Sequence, residues 1–182
     1  MGGIRSRPDR LENGMSALAE FRKQKDGYLS SSPDSPIGDT TGFHGLDYYP
    51  EDPGLALELD LTPGDRSDVR VQTSDGQERV YTREAHVSFE IEGAEVSLSL
   101  YGTNHNDGYF LPFRDATSGN ETYGTGRFID VEPATEGTVQ IDFNLAYHPY
   151  CAYNDGYSCP LPPAENWLTV PIRAGEKDYT KA

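Results

Sequence analysis

The feature that most constrains the fold is an alternation of apolar and polar residues in the middle of the chain. Every second residue from Leu55 to Leu61 is leucine, and the residues between them are small, acidic or otherwise unlike them. The same alternation returns between Ala85 and Ile91. A period of two places successive side chains on opposite faces of a β-strand. The pattern therefore predicts a sheet with one face buried and the other in water.

The same reasoning, with turn signals between the apolar stretches, predicts eight strands. They lie at about 55–61, 68–74, 78–92, 96–100, 109–113, 127–131, 138–144 and 167–173. The third is long for a single strand, so we expect a bend or bulge between Thr82 and Glu84. Eight short strands are typical of an all-β, mainly antiparallel domain, folded as a barrel or as a sandwich.

Apolar residues spaced as on one face of a helix predict a single N-terminal α-helix. It runs from about Ser16 to Asp26 and ends at Gly27. A chain of 182 residues fits one domain with its own core. We predict a disordered extension at 1–14, one β domain over 15–177 and a loose tail at 178–182.

The charge balance limits the partners of the chain. Thirty acidic residues face 15 basic ones, only four of them lysine, for a net charge of −15. Such a surface argues against binding nucleic acid or an anionic membrane. Acid scattered along the whole chain favours a halophilic protein, whose surface charge is screened by concentrated salt. An ordinary acidic protein is the alternative. The sequence contains no run long enough to span a bilayer and no secretion signal at its start, so we expect a cytoplasmic protein.

Two segments without periodicity carry most of the polar and aromatic chemistry. They are residues 114–126 and residues 145–166, the second of which holds both cysteines. If the strands follow an up-and-down order, these two loops share one end of the fold, while 102–108 lies at the other. That order also separates His105 from His148. We therefore expect a concave site at one mouth of the β framework.

Long motifs in these segments resemble a known family. FRDATSGNETYGTGRFID, DFNLAYHPYCAYNDGYSCPLPPAENWL and PIRAGEK are similar to the group called domain of unknown function 1684, found in bacteria and archaea. The resemblance extends back through FHGLDYYP and covers about 17–177. It implies a mostly β domain with a leading helix, and no established activity, substrate or cofactor.

This chain departs from the family pattern at three places. The family usually reads YNPPCAYN, with asparagine where His148 stands. It usually has lysine in place of Asn120 and ENR in place of Glu165-Asn166-Trp167. A mechanism that needs His148 is therefore disfavoured, and the loss of two basic residues makes an anionic ligand less certain.

The first functional hypothesis is binding of a small organic molecule at the predicted mouth. Arg114 would neutralise an acidic group, asparagine amides would orient the ligand, and tyrosines would supply an apolar wall. The alternative is that the same side chains stabilise the conformation of these loops through internal hydrogen bonds and ion pairs. The candidate binding residues are Arg114, Glu121, Tyr123, Asn144, Tyr153, Asn154, Glu165 and Asn166.

Other hypotheses use the same region. A hydrolase or isomerase would use Glu121 or Glu165 as a general base. A protein-interaction module would expose Trp167 and Tyr150 together on a flat apolar surface. No cofactor is expected, and the oligomeric state is left open.

The two cysteines allow a weak metal alternative. Cys151 and Cys159, with His148 nearby, have ligand types that suit zinc, although seven residues separate the cysteines. Two packed thiols or a local disulfide are the simpler interpretations.

Overall fold

The computed structural model describes residues 16–103 and 107–179, and it shows two antiparallel sheets preceded by one helix. The mainly antiparallel all-β prediction is confirmed. The predicted extension at 1–14, His105 and the last three residues of the predicted tail lie outside the described residues. The elements are α1 Ala17–Ser31, β1 Ala56–Asp60, β2 Thr62–Pro63, β3 Asp68–Gln72, β4 Glu78–Ile91, β5 Ala94–Gly102, β6 Tyr109–Phe113, β7 Arg127–Val131 and β8 Thr138–Asp142.

The strands divide unequally between the two sheets. The larger sheet has the order β2-β4-β5-β6-β7, with β3 also pairing β4. In the smaller sheet β1 pairs β8, with Ala56 opposite Asp142. Within the described residues the two sheets are separate hydrogen-bonded units, so they do not close into a barrel. The sandwich alternative is confirmed and the barrel alternative is wrong.

The hydrophobic core lies between the sheets. Val87 and Leu98 from the larger sheet and Ile141 from the smaller one are almost completely buried in a single cluster. The leucines from Leu55 to Leu61 are half-buried and pack against this cluster, while the residues between them are exposed. In this strand the alternation in the sequence therefore separates the residues that face the core from those that face solvent. Each buried aliphatic side chain contributes about 1.5–3 kcal/mol.

The long strand β4 bends where the sequence predicted. Its register with β5 shifts between Arg83 and Ala85, which is a β-bulge. Gly64 approaches the backbone of the bulge so closely that a Cβ atom there would lie 2.5 Å from the carbonyl oxygen of Arg83. The prediction of a bulge near Thr82 to Glu84 is confirmed.

The predicted eighth strand at 167–173 is wrong. This segment bends at Thr169 and Val170 and has no ladder. Trp167 makes a single parallel bridge with Arg114. Its other backbone groups bond to irregular chain or to side chains. The Ala116 N–H donates to the Val170 carbonyl, and the Ile172 N–H donates to the Asp115 carboxylate. The apolar pattern of a segment does not show whether its backbone will bond to a neighbouring strand or to side chains.

The helix continues past its predicted end. It begins where predicted, with Ser16 as the N-cap accepting a hydrogen bond from the Ala19 N–H at 3.0 Å, but α1 runs through Gly27 to Ser31. Glycine within a helix costs about 1 kcal/mol relative to alanine. Burying Leu29, which is 1% exposed, contributes about 1.5–3 kcal/mol and outweighs that cost.

Candidate functional site

The two aperiodic loops are in contact, although the up-and-down order from which this was expected is not present, because β8 pairs β1 and 167–173 is not a strand. The backbone N–H of Tyr123 donates to His148 Nε2 at 3.2 Å, and the Tyr123 hydroxyl donates to the Cys151 carbonyl at 3.4 Å. At the other side, the Arg114 N–H donates to the Asn166 carbonyl at 3.0 Å. Residues 114–126 and 145–166 are therefore in direct contact at two places.

A buried arginine occupies the space beneath these loops. Arg127 is completely buried, and its guanidinium donates to the carbonyls of Ile172, Ala174 and Glu176. Its Nη2 atom lies 3.5 Å from the carboxylate of Asp115. Burial lowers the pKa of Arg127, against the opposing effect of Asp115. No signal in the sequence identifies this residue, because an arginine at the start of a strand resembles an ordinary surface residue.

A second buried charge joins the helix to the second loop. The Glu176 carboxylate is 2% exposed and is bound by the Lys25 ammonium, the Tyr153 hydroxyl at 2.6 Å and the His148 N–H at 2.8 Å. Burial, with the nearby Glu176, raises the pKa of Tyr153. Tyr153, predicted to line a ligand site, is thus a buried donor to a structural carboxylate.

The three candidate asparagines bond to backbone or to neighbouring side chains. The Asn166 amide donates to the carbonyls of Ser99 and Pro112 and accepts from the Ser99 N–H. Asn144 exchanges two bonds of 2.8 Å with the backbone of Asp52. Asn154 closes a turn by accepting from the Gly156 N–H. In these contacts the asparagines hold the loops in place and bind other parts of the protein.

The two candidate general bases are paired with arginines. Glu121 binds Arg173 and the Tyr49 hydroxyl, and these hydrogen bonds lower its pKa. Burial acts to raise the pKa of Glu165, but hydrogen bonds from Arg83 and Tyr101 outweigh it, so the pKa is lowered overall. A general base near neutral pH needs a raised carboxyl pKa, which neither residue has.

The remaining candidates lie at the edges of the loops. The Arg114 guanidinium lies over the Trp167 ring, 4.8 Å from its centroid. Burial raises the pKa of Tyr123 to about 12. The binding role of all eight candidate residues stays a prediction; the contacts described above are what the structure adds.

A groove lies on the other side of the second loop. It has a volume of about 670 Å³ between α1 and residues 147–160, with β4 and β7 at its base. We call it the aromatic groove. Its lining residues are Phe21, Gln24, Lys25, Tyr28, Leu29, Arg79, Phe128, Asp130, Tyr147, Pro149, Tyr150, Tyr157, Ser158, Cys159 and Pro160.

Aromatic rings in mutual contact form the walls of the groove. The Tyr150 and Tyr157 rings meet edge to face with centroids 5.3 Å apart, and Phe128 meets Tyr147 in the same way at 5.9 Å. Tyr28 from α1 contacts Tyr150 from the opposite wall. Such contacts hold the rings in place and leave their faces as an apolar surface.

Charged groups lie among these rings. The Lys25 ammonium is 5.1 Å from the Tyr147 ring centroid while it binds Glu176. Arg79 uses one Nη2 bond, of 2.8 Å, to hold the Ser158 carbonyl. The Tyr147 hydroxyl donates to the Asp130 carboxylate, and burial, together with this charge, raises the pKa of Tyr147. The groove thus offers two cations and one carboxylate that already has a donor.

The cysteines lie beside the groove as free thiols. Cys159 lines it, and both cysteines are buried. Among residues 16–103 and 107–179, no three His, Cys, Asp or Glu side chains come together as a metal site. His148 Nε2 is directed to the Tyr123 N–H rather than to the thiols.

Across the part of the chain that the structure describes, no helix is long and apolar enough to cross a membrane.

Comparison with known proteins adds the family. The profile of the family described as "Protein of unknown function (DUF1684)" matches residues 41–177. A solution NMR structure of an uncharacterized protein from Haloarcula marismortui is similar, with a TM-score of 0.68 and 37% sequence identity over 88% of this chain and 91% of that chain. Its source fits the expectation of a halophilic protein. No curated protein matches the sequence.

Proposed function

Because the chain belongs to the DUF1684 family, whose description states no activity, we propose its function from the aromatic groove: it binds a small organic molecule with a flat apolar body and an anionic group. The observation that carries this proposal is the groove itself, a space of about 670 Å³ with ring walls. Pockets for small ligands usually measure about 300–1,000 Å³ and are lined mainly by apolar and aromatic side chains.

The ring faces determine the apolar part of the ligand. Tyr28, Tyr150 and Tyr157 are each between 37% and 43% exposed, although they contact other rings. A flat molecule that stacks on them removes this surface from water at about 25 cal/mol per Å². Stacking of this kind is not screened by ions, so it suits a protein that works in concentrated salt.

The cations determine the polar part. On a chain with a net charge of −15, Arg79 and Lys25 line the same groove. Lys25 is held by Glu176, whereas Arg79 spends one bond on the Ser158 carbonyl and keeps its other donors. A carboxylate or phosphate on the ligand would be bound by these free guanidinium donors.

This proposal relocates the site from the predicted mouth to the opposite face of the second loop. Tyr153 and Tyr123 are not among the groove-lining residues; they support the segment whose far side is the wall. The carboxylate-base alternative has no supporting observation, because Glu121 and Glu165 are each ion-paired. Trp167 lies on Arg114, away from the groove that Tyr150 lines, so a shared flat surface is not supported either.

The test is saturable binding of an aromatic anion. We would titrate the folded protein in concentrated potassium chloride with 1-anilinonaphthalene-8-sulfonate, following dye fluorescence. The wild-type protein should bind one equivalent, and Tyr150→Ala should weaken binding by about five-fold, since a stacked ring contributes roughly 1 kcal/mol. Arg79→Gln should weaken it as well, and less at higher salt.

Trp167→Ala is the matched control. Trp167 is also an exposed aromatic residue, at 52%, but does not line the groove. Its removal should leave dye affinity unchanged. Non-saturable binding, or equal losses in Tyr150→Ala and Trp167→Ala, would contradict the proposal. If the dye binds as expected, ligand-observed NMR with aromatic carboxylates as competitors would define the preferred ligand.

A further inference from the structure

The two cysteines are held together although they come from different parts of the second loop. Cys151 lies on the short 3₁₀ helix Tyr150–Ala152. Cys159 is fixed by a reciprocal backbone contact with the β3–β4 turn: its N–H donates to Ser74 Oγ at 3.0 Å, and the Ser74 N–H donates to its carbonyl at 2.8 Å. The Cys151 thiol contacts both Ser74 and the Cys159 thiol. The pair is therefore in direct contact while both thiols are free.

The two thiols differ in access. Cys159 lines the aromatic groove, whereas Cys151 is not among the lining residues. The carbonyl of Cys151 accepts a hydrogen bond from the Tyr123 hydroxyl. A molecule in the groove therefore contacts Cys159 and not Cys151. This is the arrangement that an attacking thiol and a resolving thiol require.

The charges around the pair favour the same assignment. A hydrogen bond from Cys151, with the positive charge of Arg79, lowers the pKa of Cys159. The same contact, with burial, raises the pKa of Cys151. Cys159 is accordingly the thiol of the pair that ionises more readily, and Cys151 is the thiol that donates to it. The thiolate is the nucleophile in thiol–disulfide exchange.

We propose that Cys159 and Cys151 form a dithiol site that exchanges with low-molecular-weight disulfides entering the aromatic groove. The Cys159 thiolate attacks one sulfur of the small disulfide, which forms a mixed disulfide and releases one small thiolate. Cys151 then loses its proton and attacks the Cys159 sulfur, which forms the Cys151–Cys159 disulfide and releases the second thiolate. Starting from the Cys159 thiolate, the protein loses two electrons and the Cys151 proton, and the small disulfide gains them and leaves as one thiol and one thiolate.

This inference goes beyond ligand binding, since it depends on the thiol pair and not on the stacking of a flat ligand on the tyrosines. Arg79 connects the two, because its charge lies beside Cys159 and small disulfides built from amino acids carry carboxylates. The two proposals fail separately: dye binding tests the walls, and thiol exchange tests the cysteines.

The test uses oxidised glutathione as the probe, with intact-mass spectrometry after acid quenching and alkylation. The wild-type protein should lose the mass of two hydrogen atoms and become resistant to alkylation. Cys151→Ser, which keeps a hydroxyl donor to Cys159, should accumulate a stable mixed disulfide. Cys159→Ser should form it at least about ten-fold more slowly.

A second readout is the pH dependence of Cys159 alkylation by iodoacetamide in Cys151→Ser. The rate should reach half of its maximum well below the ordinary thiol pKa of about 8.5. Circular dichroism would show that each variant is folded, and denaturant would show that each thiol remains chemically competent. The proposal is overturned if wild-type thiols react only in denaturant, or if Cys159→Ser forms the mixed disulfide as fast as Cys151→Ser.

Discussion

Replacing His148 by asparagine should remove an acid sensitivity that is specific to this chain. His148 is 1% exposed, and burial, with the positive charges of Arg127 and Lys25, lowers its pKa to about 3. The Glu176 carboxylate lies 3.9 Å from Nδ1 and would favour protonation, but Lys25 already pairs with it. Protonation would also abolish the bond that Nε2 accepts from the Tyr123 N–H.

The size of the effect follows from the two pKa values. In the unfolded chain His148 binds a proton near pH 6.5, and in the folded protein only near pH 3. Between these values the unfolded state holds more protons, so the free energy of unfolding decreases as the pH falls. The slope approaches about 1.4 kcal/mol per pH unit, which amounts to about 2 kcal/mol between pH 7 and pH 5.

The assay is denaturant unfolding of the wild-type protein and His148→Asn at fixed high salt, at several pH values from 5 to 7.5. Asparagine is the residue that the family usually has here, so the variant should fold. Carboxylates such as Glu121 titrate in both proteins and cancel in the difference. The wild-type protein should lose about 2 kcal/mol more than the variant on acidification. A difference between the two that stays constant over this pH range would refute the reasoning.

Two further predictions concern stability. Lys25→Met should destabilise the protein by about 3 kcal/mol or more, because it leaves the Glu176 carboxylate buried without its cation. The check is thermal unfolding in parallel with Lys23→Met, which changes an exposed lysine of the same helix. Equal losses in the two variants would contradict the prediction. Gly126→Ala should lower the free energy of unfolding by about 2–4 kcal/mol, because its φ is +113° and a Cβ would overlap neighbouring backbone. Gly76→Ala, at φ +82° with open space around it, should lower it by only about 1–2 kcal/mol. A similar loss in both variants would show that backbone conformation alone decides the cost.

Much of the secondary structure was predictable because its signals are local. The leucine alternation at β1, the bulge in β4 and the Ser16 cap each depend on residues close together along the chain. Element ends were less predictable. Gly27 marks a helix end by propensity, but the burial of Leu29 against residues far along the chain carries the helix further.

The site was predictable only in part. Residues 114–126 and 145–166 are in contact as predicted, but the up-and-down strand order assumed for that prediction is not the one observed. What lies between them did not follow, since no pattern shows that Arg127 is wholly buried or that Asn166 binds two strands. The same residue types serve a ligand or a loop, and only their partners decide between the two.

The amino-acid sequence alone thus determined the β-rich class, the acidic surface and the family, because periodicity, charge and motif are properties of the chain itself. Only the tertiary structure decided that the sheets stay open as a sandwich and that α1 meets the second loop across an aromatic groove. The physical reason is that both depend on contacts between distant segments. Lys25 and Glu176 stand at opposite ends of the described chain, yet their buried ion pair joins the helix to that loop.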